Sequence, residues 1–398
     1  MKKVLELTIE RMTMGGEALA SHQGKKVFIP WGVPGDRAKV EIVEERGDFS
    51  RGRIVELLEN SEARTQAPCQ YFFKCGGCQW QHVKYEVQLQ FKNEILKECL
   101  QRIAKIHDLK IHEPIPSDSP LHYRNRIRLQ LSRQGELGFF KGQSKEVVPI
   151  DECLIADPGL NEKIPEAKAI SVGLIQKDRA TRHEIEIRRV GKGVVVEANP
   201  QDEIFFVQVN PSQNERLIQV VIQVLHLTGK ENVLELFAGE GNFSFPISEG
   251  AGSVTAVEMA EAAVLRAEKK KEELHRRNVQ FVQSTAYRFL ESISLSQNPP
   301  NPPFSKGGDL SLPPFPKGGR GGFDRILLDP PRKGAVQCLE GIARLKIPIL
   351  VYVSCDPSTL ARDVKILGEL GYRHESSQVI DMFPQTHHVE SVTKMVLS

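Results

Sequence analysis

Long apolar runs are missing from this chain of 398 residues. No stretch approaches the roughly 18 apolar residues of a membrane-spanning helix, and the N-terminus lacks the apolar core of a signal peptide. Charges nearly cancel, with 53 Lys and Arg against 51 Asp and Glu, so net charge decides nothing about a nucleic-acid partner. We expect a soluble, cytoplasmic monomer that has no membrane partner.

Cysteines are few and odd in number, seven in all. In a reducing compartment this argues against a disulfide framework and favours metal binding or catalysis. Cys69, Cys75 and Cys78 lie within ten residues, and Cys153 follows at a distance. Structural zinc more often uses paired Cys-x2-Cys units, whereas three close cysteines and a remote fourth suit a [4Fe–4S] cluster equally well. The spacing leaves the metal open.

The chain is long enough for two or three domains. Residues 1–60 show short strand patterns between glycine turns and no useful helical period, which predicts a small β-barrel. A loop rich in Cys, Gly and aromatics follows up to residue 82, and residues 83–105 have a helical pattern. The segment 122–205 returns to strands, and from about residue 206 strand and helix alternate, which is typical of a parallel α/β sheet.

One segment, 298–322, holds seven Pro and six Gly. This composition cannot bury a core, so we expect a mobile surface insertion. An RNA-touching loop is the alternative, because the segment carries Lys306, Lys317 and Arg320.

Two apolar runs end abruptly on reactive side chains. Residues 326–328 lead into Asp329, which Pro330 and Pro331 follow, and residues 351–353 lead through Ser354 to Cys355. Open α/β sheets bind ligands beyond the carboxyl ends of their strands, so a thiol and a carboxylate at one edge predict an active site. The plain alternative is that Cys355 is a small buried hydrophobe, as Cys99 and Cys338 are expected to be.

A glycine turn follows another apolar strand, at Gly239 and Gly241. The next strand ends on Glu258, a carboxylate suited to a ribose diol. A dinucleotide enzyme usually has a third glycine in the turn, where this chain has Ser244. Together with Glu235 in the first strand, the pattern favours S-adenosylmethionine over NAD.

A cysteine and a separate base beside a methyl donor suit methylation of C5 of uracil. That carbon is a poor nucleophile until a thiolate adds to C6, and a base must later remove the C5 proton. Near the C-terminus His387, His388 and Glu390 could each supply the base, and chemistry alone leaves imidazole or carboxylate open.

These motifs together resemble the RNA uracil-5 methyltransferases, in the family's order and over nearly the whole chain. The resemblance implies Cys355 as nucleophile and Glu390 as proton-abstracting base. It further implies a [4Fe–4S] cluster, which the ribosomal-RNA branch carries at this cysteine spacing. The motifs are 208–210, 235–243, 329–332, 354–357 and 388–390, and the implied S-adenosylmethionine contacts are Gln208, Phe237, Asn242, Glu258 and Asp329. Phe237 as core and Gln208 as a strand-edge amide are the plain alternatives.

The resemblance implies an α/β enzyme in three parts. Residues 1–60 resemble a TRAM domain, an RNA-binding barrel. Residues 61–82 and 110–205 would form the central iron–sulfur domain, and residues 83–109 and 206–398 a Rossmann-like class I methyltransferase domain. The predicted barrel and cluster favour 23S ribosomal RNA as the substrate, and transfer RNA is the alternative substrate. The alternative from another functional class is a non-catalytic iron–sulfur protein that binds RNA.

Arginines at every second position of a predicted strand indicate contacts with RNA. On a strand, Arg124, Arg126 and Arg128 would share one face as a row of phosphate-binding forks. A solvated charged strand face is the alternative. Further residues extend the patch: Arg133, Lys141 and Lys145 by charge, and Phe139 and Phe140 by stacking.

Overall fold

The computed structural model describes residues 3–177, 183–200, 208–295 and 322–398, which form two compact units. Apart from Gly322, the segment 298–322 lies outside the described residues. In the described ranges no helix is long and apolar enough to cross a membrane. The first unit comprises Met1–Ile95, Pro114–Asn214 and Asp381–Val389, and the second comprises Leu96–Glu113, Glu215–Ile380 and Glu390–Ser398.

The first unit begins with a six-stranded sheet. Its core is formed by small and β-branched side chains such as Ala18, Val27, Ile29 and Val40. The strands at Arg11–Met12 and Ala18–His22 are weakly marked in the sequence, because the first is only two residues long and the second lacks clear alternation. The strands are β1 (Val4–Thr8), β2 (Arg11–Met12), β3 (Ala18–His22), β4 (Lys25–Ile29), β5 (Arg37–Glu45) and β6 (Phe49–Glu59), in the order β1-β5-β6-β4-β3-β2. The predicted helix is α1 (Tyr85–Arg102).

A second, antiparallel sheet in this unit has helices that the sequence analysis did not predict. Strands alone were expected over 122–205, but α2 (Pro158–Asn161) and α3 (Ile164–Lys177) interrupt them. Asp157 caps α2 by accepting the Gly159 N–H, and Ile164 and Ala167 of α3 pack into the sheet's core. The strands are β7 (Arg126–Leu131), β8 (Leu137–Phe140), β9 (Val147–Pro149), β10 (His183–Val190) and β11 (Gly193–Ala198), in the order β11-β10-β7-β8-β9.

The second unit is built on a seven-stranded, mostly parallel sheet of Rossmann-like type. Its central strands are buried and continuously apolar, as parallel strands are. The strands are β12 (Asn232–Leu236), β13 (Ser253–Glu258), β14 (Val279–Gln283), β15 (Arg325–Leu328), β16 (Ile349–Ser354), β17 (Tyr372–Ile380) and β18 (Glu390–Leu397), in the order β14-β13-β12-β15-β16-β18-β17. The helices are α4 (Pro211–Leu225), α5 (Ser244–Ser248), α6 (Glu261–Glu273), α7 (Ala286–Leu295), α8 (Leu339–Leu345) and α9 (Pro357–Glu369).

Strand direction brings the predicted site residues to one edge of this sheet. Phe237, Asp329 and Cys355 follow the carboxyl ends of parallel strands, and Glu258 ends another. β18 runs antiparallel to β16, so its first residue, Glu390, lies at the same edge. The topology therefore positions the site before any side-chain detail is considered.

Candidate active site

Cys355 and Glu390 lie at adjacent strand ends. In the antiparallel pairing of β16 with β18, Ser354 is opposite Ser391, and the register continued by one residue sets Cys355 opposite Glu390. Opposed Cα atoms in such a pair are about 4.5–5.5 Å apart. Cys355 is half-buried and Glu390 is only 4% exposed. A thiol and a carboxyl therefore face one small, largely dry region.

Burial and nearby negative charge raise the pKa of both groups. Burial, and then the charge of Glu390, raises the pKa of Cys355 to about 11. Burial, and then the charge of Asp329, raises the pKa of Glu390 well above its usual range. Arg332 opposes both shifts, since its positive charge favours the thiolate and the carboxylate. No pattern in the sequence indicated this role of Arg332.

A buried carboxyl on α9, Asp363, fixes the loop that carries Asp329 and Arg332. Its Oδ2 accepts the Ala335 N–H at 2.6 Å and the Tyr352 hydroxyl at 2.7 Å. The same oxygen would lie 2.5 Å from a Cβ on Gly334, whose φ is +76°, so only glycine fits there. Asp363 was not predicted, although a carboxylate on the apolar face of a helical pattern could have indicated it.

The strand-to-helix turn after Cys355 is capped by Asp356. Its side chain accepts the N–H groups of Ser358 and Thr359 at 3.0 and 2.9 Å, and Pro357 begins α9. The cap ends the strand at the thiol and fixes the backbone on which Cys355 sits.

The glycine turn after β12 leaves room for a ligand. Phe237 and Gly239 have φ of +67° and +55°, and the space a Cβ would occupy on Gly239 has no heavy atom within 4 Å. The Gly239 N–H donates to Glu258 Oε2 at 2.9 Å, which draws that carboxylate to the turn. Phe237 and Asn242 are half-buried beside it. The open turn and the carboxylate of Glu258 are suited to binding S-adenosylmethionine. Phe237 is only half-buried, so its side chain is not a core residue and is also available to the cofactor.

Two more carboxyls near this edge are buried. Burial raises the pKa of Glu235 to about 8 and that of Asp329 to about 7. The Ser244 hydroxyl donates to Glu235 Oε2 at 2.5 Å, while Oε1 has no hydrogen-bond partner among the described residues.

Gln208 belongs to the first unit, whereas the other four predicted S-adenosylmethionine contacts belong to the second. Its backbone carbonyl accepts from Asn125 Nδ2 at 3.1 Å. Its side-chain Oε1 is buried, and in the described ranges it has no hydrogen-bond partner. An unsatisfied buried amide oxygen is uncommon, and among the described residues nothing satisfies this one, as the strand-edge alternative would require.

The four predicted metal-ligand cysteines all belong to the first unit. Burial is the main cause that raises the pKa of Cys75 to about 11 and of Cys78 to about 12. The charge of Cys153 acts on both thiols, and that of Cys69 acts on Cys75, so the four lie within electrostatic reach of one another.

Their arrangement is not that of a single-ion site. In the part of the chain that the structure describes, no three His, Cys, Asp or Glu side chains are arranged to hold a metal ion. Four cysteine thiols are nevertheless the donor set that iron–sulfur clusters use. Asn161 fixes the remote member: its Oδ1 accepts the Cys153 N–H at 2.8 Å, and its Nδ2 donates to the Cys153 carbonyl at 3.1 Å. The sequence gave no indication of this amide.

The predicted arginine row does not form a free face of phosphate-binding forks. Arg128 pairs with the buried Glu186 at 3.2 Å and with Glu184 at 3.4 Å, and Arg126 approaches Glu186 at 4.0 Å. These carboxylates lie on β10, a strand whose register the sequence alone could not supply. The alternative of a charged strand face without phosphate binding is favoured, with its charges paired to carboxylates rather than solvated.

Arg124 and Phe139 also differ from the prediction. Arg124 acts on the thiols of Cys78 and Cys153, lowering their pKa, so it lies near the cysteines. Phe139 packs against the core of the second sheet. A cavity of about 630 Å³ lies beside the cysteine loop. It is lined by Gly76, Gly77 and residues 139–145.

Comparison with known proteins adds family and fold. Residues 166–396 match the model of the tRNA (uracil-5-)-methyltransferase family, and residues 2–55 match that of the TRAM domain. The chain is 31% identical to the 23S rRNA (uracil(1939)-C(5))-methyltransferase RlmD of Pseudomonas putida, over 98% of this chain and 93% of that protein. It is 30% identical to an uncharacterized RNA methyltransferase of Thermotoga maritima, with 98% of each chain covered.

A solved structure shares the fold. The tRNA (uracil-54, C5)-methyltransferase of Pyrococcus abyssi, in complex with S-adenosyl-L-homocysteine, superposes with a TM-score of 0.70. The superposition covers 98% of this chain and 99% of that one, at 23% identity. At this identity the likeness shows the fold alone.

Proposed function

This chain belongs to the tRNA (uracil-5-)-methyltransferase family, and we propose that it methylates C5 of a uridine in 23S ribosomal RNA, using S-adenosylmethionine. The observation that carries the proposal is the pair formed by Cys355 and Glu390 at adjacent strand ends. The chemistry at C5 needs these two groups, a thiol and a separate base, within reach of one ring.

Cys355 adds to C6 of the uracil as a thiolate and makes C5 a nucleophile. S-adenosylmethionine supplies the methyl cation and leaves as S-adenosylhomocysteine. Glu390 then takes the proton from C5, the electron pair re-forms the C5–C6 double bond, and the C6–sulfur bond breaks. Arg332 favours both ionised forms, and the buried position of Glu390 raises its pKa, which makes it a stronger base than an exposed carboxylate.

The cofactor would be held at the glycine turn and the neighbouring strand ends. Glu258, drawn to Gly239 by a hydrogen bond, is placed for a ribose diol, and Asp329 lies at the carboxyl end of the strand beside β12. Phe237 and Asn242 flank the turn. We include Gln208 because its buried, unpartnered oxygen needs a donor that the described residues do not supply.

The four cysteines Cys69, Cys75, Cys78 and Cys153 are proposed as ligands of a [4Fe–4S] cluster. Their coupling and burial support this, and Asn161 supports the remote ligand. Anaerobically purified protein should contain iron and acid-labile sulfide, and a Cys153→Ala variant should lose both while the matched Cys99→Ala variant keeps them. Zinc in place of iron would overturn the proposal.

The domain boundaries drawn from the sequence stay part of the proposal, namely 1–60, 61–82 with 110–205, and 83–109 with 206–398. A ribosomal substrate implies action in the cytoplasm, and we propose a monomer because both catalytic groups come from one sheet of one chain.

Methyl transfer from labelled S-adenosylmethionine tests the function. Unmodified 23S ribosomal RNA and transfer RNA transcripts would be incubated with the protein, and the RNA digested and searched for 5-methyluridine. Label in 23S RNA alone is the expected result. Label in transfer RNA alone would identify transfer RNA as the substrate instead. Tight RNA binding without methylation of either RNA would favour the non-catalytic RNA-binding protein.

A further inference from the structure

Two aromatic side chains of the first unit meet at the protein surface. Trp31 is 42% exposed and Phe73 is 50% exposed. Their rings lie edge to face, with centroids 5.6 Å apart and an interplanar angle of 80°. Large exposed aromatic rings in contact leave ring faces open to solvent, an arrangement that suits a stacking partner.

Both residues have a backbone conformation that bulky side chains rarely adopt. φ is +59° at Trp31 and +70° at Phe73, in the left-handed region that favours glycine. Such outliers persist only where the surrounding structure imposes them, and they concentrate at functional sites. Glycine would relax the backbone at either position, yet the chain has aromatic rings there.

Polar contacts impose this conformation on Trp31. Arg64 Nη2 donates to the Trp31 carbonyl at 2.8 Å, and the same guanidinium pairs with the buried Asp36 at 2.7 Å. Asp36 also accepts the Val33 N–H at 2.7 Å, which fixes the residues that follow. The turn is thus anchored on both sides of the exposed ring.

Buried rings support Phe73 from below. Phe72, 5% exposed, lies 4.5 Å from Phe73 between centroids, and the buried His82 lies 5.4 Å from Phe72. Lys74 is exposed beside Phe73, and within the described ranges its ammonium forms no ion pair. Rigid rings next to an uncompensated positive charge match a base and its phosphate.

We infer that Trp31 and Phe73 form a stacking platform for an unpaired base of the RNA substrate, with Lys74 facing the adjacent phosphate. An unpaired base offers its π-face to aromatic rings, whereas a base in a duplex is covered on both sides. The inference rests on the proposed function, because that function makes RNA the partner. It assigns to the platform a role in holding RNA and no part in the chemical step.

Intrinsic fluorescence reads the platform directly, because the chain has only two tryptophans and Trp80 is fully buried. A mixed-sequence single-stranded oligoribonucleotide should quench the emission of the wild-type protein, and a Trp31→Phe variant should lose that quenching. The same strand in a perfect duplex should quench weakly. Equal quenching by the duplex, or unchanged quenching in Trp31→Phe, would overturn the inference.

Glycine variants separate strain from recognition. Trp31→Gly and Phe73→Gly should keep or raise the melting temperature and keep the iron content, yet each should weaken single-strand binding by about 5- to 100-fold. Gln23→Gly is the matched control, since Gln23 is exposed, uncharged and has φ of +49° in the turn between β3 and β4. It should leave binding unchanged. Trp31→Gly with wild-type affinity would contradict the inference.

The outcomes also separate this inference from the proposed function. In the methyl-transfer assay, Trp31→Gly should raise KM for 23S RNA and leave kcat unchanged. Wild-type methylation with no effect of Trp31→Gly would remove the platform and leave the function. Quenching without any methylation by the wild-type protein would remove the function and leave the platform.

Discussion

Lys92 and Asp381 form an ion pair of 2.6 Å in which neither side chain is exposed, although 289 residues separate them in the chain. The pair lies within the first unit. Lys92 Nζ also donates to the Phe383 carbonyl at 2.9 Å, and the Tyr85 hydroxyl donates to the other oxygen of Asp381 at 2.8 Å. Burial lowers the pKa of Lys92, and the carboxylate opposes that shift. The segment 381–389 is thus fastened to helix α1 by charge-assisted hydrogen bonds.

Removing one partner of this pair should be strongly destabilising. Lys92→Met leaves a buried carboxylate without its counter-ion, and we expect a loss of about 3–5 kcal/mol in the free energy of unfolding. Urea unfolding measures it. Arg102→Ala is the control, because it breaks an exposed pair with Glu98 on the same helix and should cost no more than about 0.5 kcal/mol. Similar losses of unfolding free energy in the two variants would show that the buried pair stabilises the protein no more than the exposed one.

Glu390→Gln should stop the reaction after methyl transfer. The amide cannot take the C5 proton, so the thioether to Cys355 cannot break, and ordinary uridine RNA should accumulate as a methylated covalent adduct. A denaturing gel with label from S-adenosylmethionine would show a shifted, labelled protein band. The double variant that adds Cys355→Ala should show no band. Rapid turnover by Glu390→Gln would assign the base to another residue.

Reactivity of Cys355 should rise with pH. The pKa of about 11 means that the thiolate fraction grows about tenfold for each pH unit between 7 and 10. Iodoacetamide labelling of the Cys355 peptide, followed by mass spectrometry, should therefore have its midpoint above pH 9. Arg332→Gln should move the midpoint higher still, because it removes the positive charge that favours the thiolate. Lys333→Gln, in the same exposed loop, is the control and should leave the midpoint unchanged.

Glu235 should make stability fall as pH rises. Its folded pKa of about 8 lies above the ordinary value of 4.5, so the folded state holds a proton that the unfolded state releases. Its contribution to stability is therefore full below pH 4.5 and is lost progressively up to about pH 8. Glu235→Gln keeps a neutral side chain at every pH and should flatten the dependence of the melting temperature between pH 5 and 8. A variant with the wild-type slope would show that other groups cause it.

The sequence was sufficient for what depends on local pattern and topology. Apolar strands that end on Asp329 and Cys355 predicted the sheet edge, whereas the antiparallel course of β18, which brings Glu390 to the same edge, was not predicted. The glycine turn and Glu258 were likewise predictable, because a strand, a turn and the next strand are close in the chain.

What the sequence could not supply depends on contacts between distant segments. Arg126 and Arg128 looked like a phosphate-binding face until β10 placed Glu184 and Glu186 opposite them. Asp363 reached Ala335 only through the packing of α9, and Lys92 found Asp381 across most of the chain. Helix α3 was missed because the whole segment 122–205 was assigned to strands. Its apolar residues pack on the sheet that those strands form.

The central claim, a thiol that adds to uracil, has a direct test with 5-fluorouridine-substituted 23S RNA and S-adenosylmethionine. Fluorine at C5 cannot leave as a proton, so the adduct should freeze on wild-type protein and on the matched Cys99→Ala variant, and should be absent with Cys355→Ala. Those bands on a denaturing gel are the predicted result. No adduct on methylation-competent wild-type protein, or an equal adduct on Cys355→Ala, would contradict the claim.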